Sequence, residues 1–220
     1  MKIIYLLPPS EGKNPWGENT WESLSFDFKK PLEIAKNATA KDLKCKDARY
    51  LEGIELNTHV EISDVLPAIS RYSGVMYNAI DYLWMSESWK KYFSDNFLIL
   101  SGMYGILRPE DRIGNYKLPI ETKWLYNFWW DSITQELNNL RADVIVDFLP
   151  NSYKKMVDWK KLDAKILRVE FMHTKHGEIK KMTHGVKKVK WEYINTLCEN
   201  LAVEIPNFWN KKETILEIIN

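Results

Sequence analysis

Apolar residues occur as short unbroken runs near the start and middle of the chain, and at helical spacing between them. Lys2-Ile3-Ile4-Tyr5-Leu6-Leu7 is apolar at successive positions, so both faces of a strand would be covered. Pro8-Pro9 then stops it, because proline has no amide hydrogen for a ladder. This pattern predicts a strand lying centrally in a sheet. Residues 96–100 and 142–148 have the same character, giving three strands for the sheet core. Residues 164–171 alternate more. Residues 179–182 can pair with the end of that segment across the turn Lys175-His176-Gly177-Glu178, which predicts a late hairpin and a mixed sheet.

The clearest helix is predicted over residues 122–140, where Leu125, Trp129, Ile133, Leu137 and Leu140 recur on one face and Pro119 marks the entry. Weaker helical patterns cover residues 66–82, 87–93 and 187–201, whereas residues 14–32 carry Pro, Gly, Asn and Ser without a period and read as a loop or irregular arm. There is no internal repeat and no interdomain linker. The expected fold is α/β: a single domain over residues 1–220, with a mixed central β-sheet flanked by helices.

Composition narrows the class. A chain of 220 residues that is 45% hydrophobic and 28% charged can bury one substantial core and is not depleted in the way disordered chains are. Cys45 and Cys198 lie far apart without a CxxC partner, which fits a reducing compartment rather than a disulfide framework or a zinc site. The apolar run over residues 3–7 is too short for a signal-peptide core, and no other stretch would span a bilayer. A cytoplasmic protein with no membrane partner is expected; the oligomeric state is left open. Net charge is only +1, but residues 151–190 hold twelve Lys or Arg against four Asp or Glu. That asymmetry suits a polyanionic partner, and it equally suits a solvated basic face.

Three segments have residues that carry chemistry. Pro8-Pro9-Ser10-Glu11-Gly12-Lys13 follows the first strand, at the edge where open α/β sheets place ligands. Ser10 offers a hydroxyl, Gly12 allows close backbone approach, and Lys13 supplies either a point charge for phosphate or, if desolvated, an amine nucleophile. The pattern is not that of a P-loop, and the same residues suit a polar turn after a proline stop. The second segment, Ser101-Gly102-Met103-Tyr104-Gly105-Ile106-Leu107-Arg108-Pro109-Glu110-Asp111 and on to Tyr116, also follows a buried strand. Gly102 and Gly105 permit a tight loop, Ser101 and the Arg108 guanidinium suit phosphate or carboxylate, and Asp111 either orients an arginine or acts as a base. A packed loop with a surface Arg-Asp pair is the alternative. In the third, His184-Gly185-Val186-Lys187-Lys188-Val189-Lys190, three lysines gather at a helix amino terminus, an arrangement the helix dipole disfavours unless an anion sits there. His173, His176 and His184 match no metal-ligand spacing, so neither metal nor cofactor is expected. Trp124, Trp129 and Trp130 cluster as bases would need for stacking, but Trp129 falls on the apolar helix face and reads as core.

These residues resemble a known family. Leu6 to Lys13, Leu100 to Asp111 with Tyr116, Ser73-Gly74-Val75-Met76-Tyr77, Leu125-Tyr126-Asn127-Phe128-Trp129, Val144 to Tyr153 and Lys187-Lys188-Val189-Lys190 are similar to the YaaA family of bacterial peroxide-stress proteins. The likeness departs before Ser63 and at the carboxyl end, which is shorter and stops soon after Phe208-Trp209. It implies a YaaA-type α/β fold, a positively charged cleft, DNA binding, and a role in limiting oxidative damage linked to intracellular iron. A fainter similarity, of the Pro/Ser/Lys loop with a Ser-x-x-Gly loop and a Tyr, is to the lysine-bearing domain of archaeosine synthase, which attacks a modified nucleobase. Two functions follow as expectations. One is a peroxide-stress protein whose basic segment, Lys187, Lys188 and Lys190 with His184, binds DNA or another phosphate-bearing ligand. The other is an enzyme acting on a nucleobase or nucleotide, with Lys13 as nucleophile or electrostatic catalyst, Ser10, Glu11, Asp111 and Tyr116 orienting groups or moving protons, and Arg108 and Lys190 on phosphate. A non-catalytic ligand sensor would use the same pocket.

Overall fold

The structure is a computed structural model and describes residues 1–18, 27–80, 82–175, 178–182, 185–200, 208–211 and 214–219. In chain order its elements are β1 (Ile3–Leu7), α1 (Lys29–Lys36), α2 (Asp47–His59), β2 (Val65–Pro67), α3 (Ala68–Arg71), α4 (Glu87–Asn96), β3 (Phe97–Ser101), β4 (Gly105–Leu107), β5 (Arg112–Gly114), α5 (Leu125–Asn139), β6 (Val144–Asp147), α6 (Asn151–Lys154), β7 (Lys165–Lys175), β8 (Glu178–Lys181), α7 (Val186–Glu199), β9 (Phe208–Lys211) and β10 (Thr214–Ile219). Among the described residues eight strands form one mixed sheet in the order β4-β3-β1-β6-β7-β10-β9, with β8 also on β7. The three apolar runs are its parallel centre: β1 pairs with β3 through Leu6↔Leu98 and with β6 through Tyr5↔Val146. β6 in turn runs parallel to β7, while β4, β8 and β10 add antiparallel strands.

Every residue of β1, β3 and β6 is buried, as expected when successive side chains point to opposite faces and both faces are covered. On one face α4 and α7 pack together. The Tyr5 and Tyr92 hydroxyls of β1 and α4 lie 3.1 Å apart, and Phe148, just after β6, lies against Tyr193 of α7. The predicted stripe of α5 is buried at Leu125, Trp129, Ile133 and Leu137. The late hairpin is present as β7 and β8, in the register Thr174↔Ile179; His176 and Gly177 of its turn lie outside the described residues.

The helix expected over residues 66–82 is replaced by β2, the single turn α3 and two short 3-10 turns, Tyr77–Ala79 and Tyr82–Trp84. Tertiary capture overrides the periodicity. Pro67 and Tyr72 have extended backbones, and the buried Arg71 guanidinium donates to the carbonyls of Asn14, Trp16 (2.8 Å), Asp64 (2.8 Å) and Ile113 (3.2 Å). Residues 14–18 run beside α3 and β2, with Asn14 N donating to Arg71 O and Glu18 bridging to Val65, and α1 begins at Lys29 within the stretch read as a loop.

Candidate functional site

Because β1, β3, β6 and β7 run parallel, their carboxyl ends open on one edge of the sheet. The chain leaves β1 to build β3 on one side and then passes back to build β6 on the other, the arrangement that leaves a crevice beyond the strand ends. A pocket of ≈ 240 Å³ lies there. It is lined by Pro9, Ser10, Glu11 and Lys13 after β1, by Ser152 and Tyr153 after β6, by residues 116–121 before α5, and by Lys44. A second cavity of ≈ 240 Å³ shares Glu11, Lys13, Tyr116 and Lys117 and extends to Arg49, Glu52 and Gly53 of α2.

Lys13 is held in place by its backbone, which bridges antiparallel to Tyr72 while Ser73 N donates to Gly12 O (2.9 Å). Gly12 suits that approach: a Cβ there would stand 3.1 Å from Ser73 Oγ, which would have to shift by a few tenths of an ångström. The Lys13 amine lies 4.2 Å from the centre of the Tyr116 ring and 5.7 Å from that of Tyr72, and it donates to the carbonyls of Ser10 and Glu11 at 3.3 Å. Glu11 is the nearby carboxylate, but its side chain is bound to Lys117, which holds its carboxyl below the usual range. Burial, with the Lys117 and Arg71 charges adding to it against the pull of Glu11, lowers the Lys13 amine to about 7.

Beneath the amine runs a chain of buried hydroxyls. Tyr116 Oη lies 2.9 Å from both Tyr72 Oη and Ser101 Oγ, and Ser101 Oγ accepts from the backbone of Met103 (3.2 Å) and Tyr104 (3.1 Å). Burial pushes the Tyr116 phenol up to about 12, so it is a neutral donor at ordinary pH. Ser101 therefore supports Tyr116 from behind rather than lining the pocket. Gly102 does likewise: its carbonyl accepts from Trp129 Nε1 at 2.8 Å, and a Cβ there would meet Leu118 O, behind the pocket wall, at 3.0 Å. Gly105 is buried at the start of β4. Ser10 lines the pocket and donates through Oγ to Ser73 O.

Arg108 and Asp111 are not brought to the pocket. β4 runs antiparallel to β3 with Leu107 opposite Ile99, so the chain is heading toward the amino end of β3 when it reaches Arg108. Arg108 is exposed, and Asp111 Oδ2 accepts from its backbone amide at 2.7 Å to close the turn between β4 and β5. Lys190 also stands apart, beside β6: its amine donates to Phe148 O at 2.5 Å, and burial lowers it to about 8. The buried Asp147 close by meets Lys154 at 3.0 Å and Arg168 at 3.8 Å. Lys187 and Lys188 are exposed in the first turn of α7; His184 lies outside the described residues.

Lys117, Lys44 and Tyr72 line or support this pocket although nothing in the sequence marks them as a motif, and Tyr153, at the end of the Val144 to Tyr153 segment, lines it too. Lys44 is paired with Glu121 at 3.0 Å. Among the described residues no group of three or more His, Cys, Asp or Glu is placed to hold a metal, and no helix is long and apolar enough to cross a membrane.

Sequence comparison covers both strand-end loops and the sheet core. A UPF0246 protein of Fusobacterium nucleatum subsp. nucleatum is 28% identical over 219 residues, spanning 91% of this chain and 86% of its own. Another from Psychrobacter cryohalolentis is 31% identical over 234 residues (90% and 86%), and one from Marinomonas sp. is 32% identical over 189 residues (80% and 72%). The family described as Peroxide stress protein YaaA matches residues 1–211, a span that takes in Lys13, Tyr116, Lys117 and the β6 end alike. The chain accordingly belongs to the YaaA family of peroxide stress proteins.

Proposed function

We propose that the chain serves in the peroxide stress response for which its family is named, and that it does so by holding a phosphate-bearing ligand, DNA or a nucleotide, at the strand-end pocket. The observation that carries this reading is the charge inventory of the pocket wall. Lys13, Lys44 and Lys117 face Glu11 and Glu121, and both carboxylates are already paired with Lys117 and Lys44, so Lys13 is the amine left for an incoming anion, whose charge favours its protonated form. The cluster of Lys154, Arg168 and Lys190 around the single buried carboxylate of Asp147 lies at the adjoining strand end and extends the positive surface for further phosphates.

A second reading is favoured by the state of Lys13 itself. An amine titrating at about 7 is substantially neutral in the cell and carries a free lone pair, which is what attack on an electrophilic carbon of a nucleobase requires. Addition to such a carbon moves its π electrons onto the neighbouring heteroatom, and the Tyr116 hydroxyl, backed by Ser101 and Tyr72, would give that atom its proton and take up the one the amine loses. In a duplex such a base would first have to leave the stack.

Binding of duplex DNA, single-stranded DNA and mononucleotides to wild type, Lys13→Met and Lys187→Ala/Lys190→Ala, at two salt concentrations, tests the proposal. Binding of a mononucleotide that is lost in Lys13→Met supports the pocket as the ligand's seat. DNA binding that ignores Lys13→Met, but falls with the lysine pair and steeply with salt, would move the function to α7. Failure of every phosphate-bearing probe to bind would end the reading.

A further inference from the structure

The helix α2 has an unusual buried face. Of its thirteen residues only Gly53 and Asn57 are fully buried, one turn apart, with Tyr50 and Ile54 partly buried against the core beside them. Both buried positions bear on Lys117. Asn57 Oδ1 accepts from Lys117 N at 2.9 Å, and its Nδ2 donates to Lys117 O at 2.8 Å and to Ala35 O at 3.1 Å, which fixes the backbone of Lys117 on both sides. A Cβ at Gly53 would stand 3.2 Å from Lys117 Cγ and 3.3 Å from its Cβ, so the absent side chain is the groove in which the lysine stem lies.

The lysine so positioned belongs to the wall shared by the two cavities, where its amine is taken by Glu11. The two partners differ in how they are held. The Lys117 side chain is 21% exposed and anchored along its stem, whereas the Glu11 side chain is 79% exposed. A lysine clamped by a helix and covered by a loosely held carboxylate is the arrangement of a site whose own glutamate stands in for a ligand anion.

We infer that Lys117 is a second phosphate-holding residue of the pocket beside Lys13, that Gly53 and Asn57 are its positioning residues, and that an arriving phosphate displaces Glu11 from it. This rests on the reading of the pocket as a phosphate-ligand site and names the group that makes the contact. The phosphate takes the place of the carboxylate at a fixed ammonium, and Glu11 is left beside Lys13, where its negative charge together with that of the phosphate favours the protonated amine.

The test is a double-mutant cycle on binding of adenosine monophosphate, with inorganic phosphate and acetate as separate probes, at constant ionic strength. Lys117→Met is expected to weaken the nucleotide at least about tenfold, the loss of one charge-assisted contact. Glu11→Gln is expected to tighten it about threefold, because an exposed competing pair is worth little more. In the Lys117→Met background Glu11→Gln should then lose this tightening, since the benefit specific to the exchange comes from vacating Lys117. Gly53→Leu, which crowds the lysine stem without altering charge, should weaken binding toward the Lys117→Met value, and Gly53→Ala should weaken it less.

Equal tightening by Glu11→Gln in both backgrounds would overturn the exchange and leave only general electrostatics. Wild-type affinity in Lys117→Met would overturn the assignment, and if Lys13→Met abolishes binding in the same series the pocket reading survives without it. Binding of acetate as tight as phosphate would overturn the choice of anion. If wild type binds neither phosphate nor the nucleotide, the inference and the reading beneath it fall together.

Discussion

Replacing Lys13 by methionine should stabilise the folded protein. In the unfolded chain the amine titrates near 10.5, and in the folded protein at about 7, so between those values the unfolded state binds more protons and folding carries a penalty for Lys13. Methionine keeps the length of the stem and removes that penalty. About 1.4 kcal/mol for every pH unit between the two values sets a ceiling of about 5 kcal/mol. Solvent reaches the amine through the pocket mouth, and the two 3.3 Å hydrogen bonds to Ser10 O and Glu11 O are lost, which brings the expected gain to roughly 1–2 kcal/mol at pH 7. The sign of the pH dependence follows from the lowered value. Stability of the wild type rises as pH climbs from about 7 toward 10.5, so the advantage of Lys13→Met shrinks over that window. Urea unfolding of both proteins at pH 7, 8.5 and 10 measures this directly. A variant less stable than wild type at pH 7, or an advantage that does not change with pH, would refute the reasoning. A substitution that stabilises the fold and abolishes ligand binding is what a functional group held at a cost is expected to give.

Tyr116→Phe keeps the ring under the Lys13 amine but leaves Tyr72 Oη and Ser101 Oγ without their shared partner, so it should cost about 1–3 kcal/mol in urea unfolding while the titration of Lys13 stays where it was. Gly102→Ala would press a Cβ against Leu118 O at 3.0 Å and should cost about 1–3 kcal/mol, together with a loss of nucleotide affinity because Leu118 forms part of the pocket wall; calorimetry on the same preparation reads both. Affinity for a mononucleotide should fall as pH rises above about 7, since the protonated form of Lys13 is the one that attracts an anion, and binding below that pH should depend less on pH.

The parallel centre of the sheet was legible because its strands bury both faces, and in a chain this polar an unbroken apolar run such as Ile3–Leu7 has to be covered on both sides. The same holds for α5, whose stripe is regular for nearly four turns. Structure held by single polar residues was not legible. α2 sets Gly53 and Asn57 against Lys117, and neither contributes to an apolar period, while residues 66–82 have a helical period that buried Arg71 overrides by binding four carbonyls. The strands β9 and β10 were not legible either: β10 is short and pairs with both β7 and β9, and β9 closes that edge of the sheet.

The candidate site divides along the same line. Ser10, Glu11, Lys13 and Tyr116 meet at one place because strand ends are fixed by the strands, and β1 was clear. Arg108 follows a strand that reverses direction within a few residues of Ser101, and a reversal into three-residue β4 leaves no mark that separates it from a continuing loop. Lys117 is an ordinary lysine in sequence; its place in the wall depends on a helix sixty positions earlier in the chain.

The central claim, a functional amine held in a desolvated pocket, is tested most directly by the titration of Lys13, followed by reductive methylation and mass spectrometry of the intact protein across pH 5–11, with and without a mononucleotide. The expected midpoint is at about 7 without ligand, moved upward when the phosphate is bound. A midpoint at the ordinary lysine value of about 10.4, unchanged by ligand, would contradict the claim.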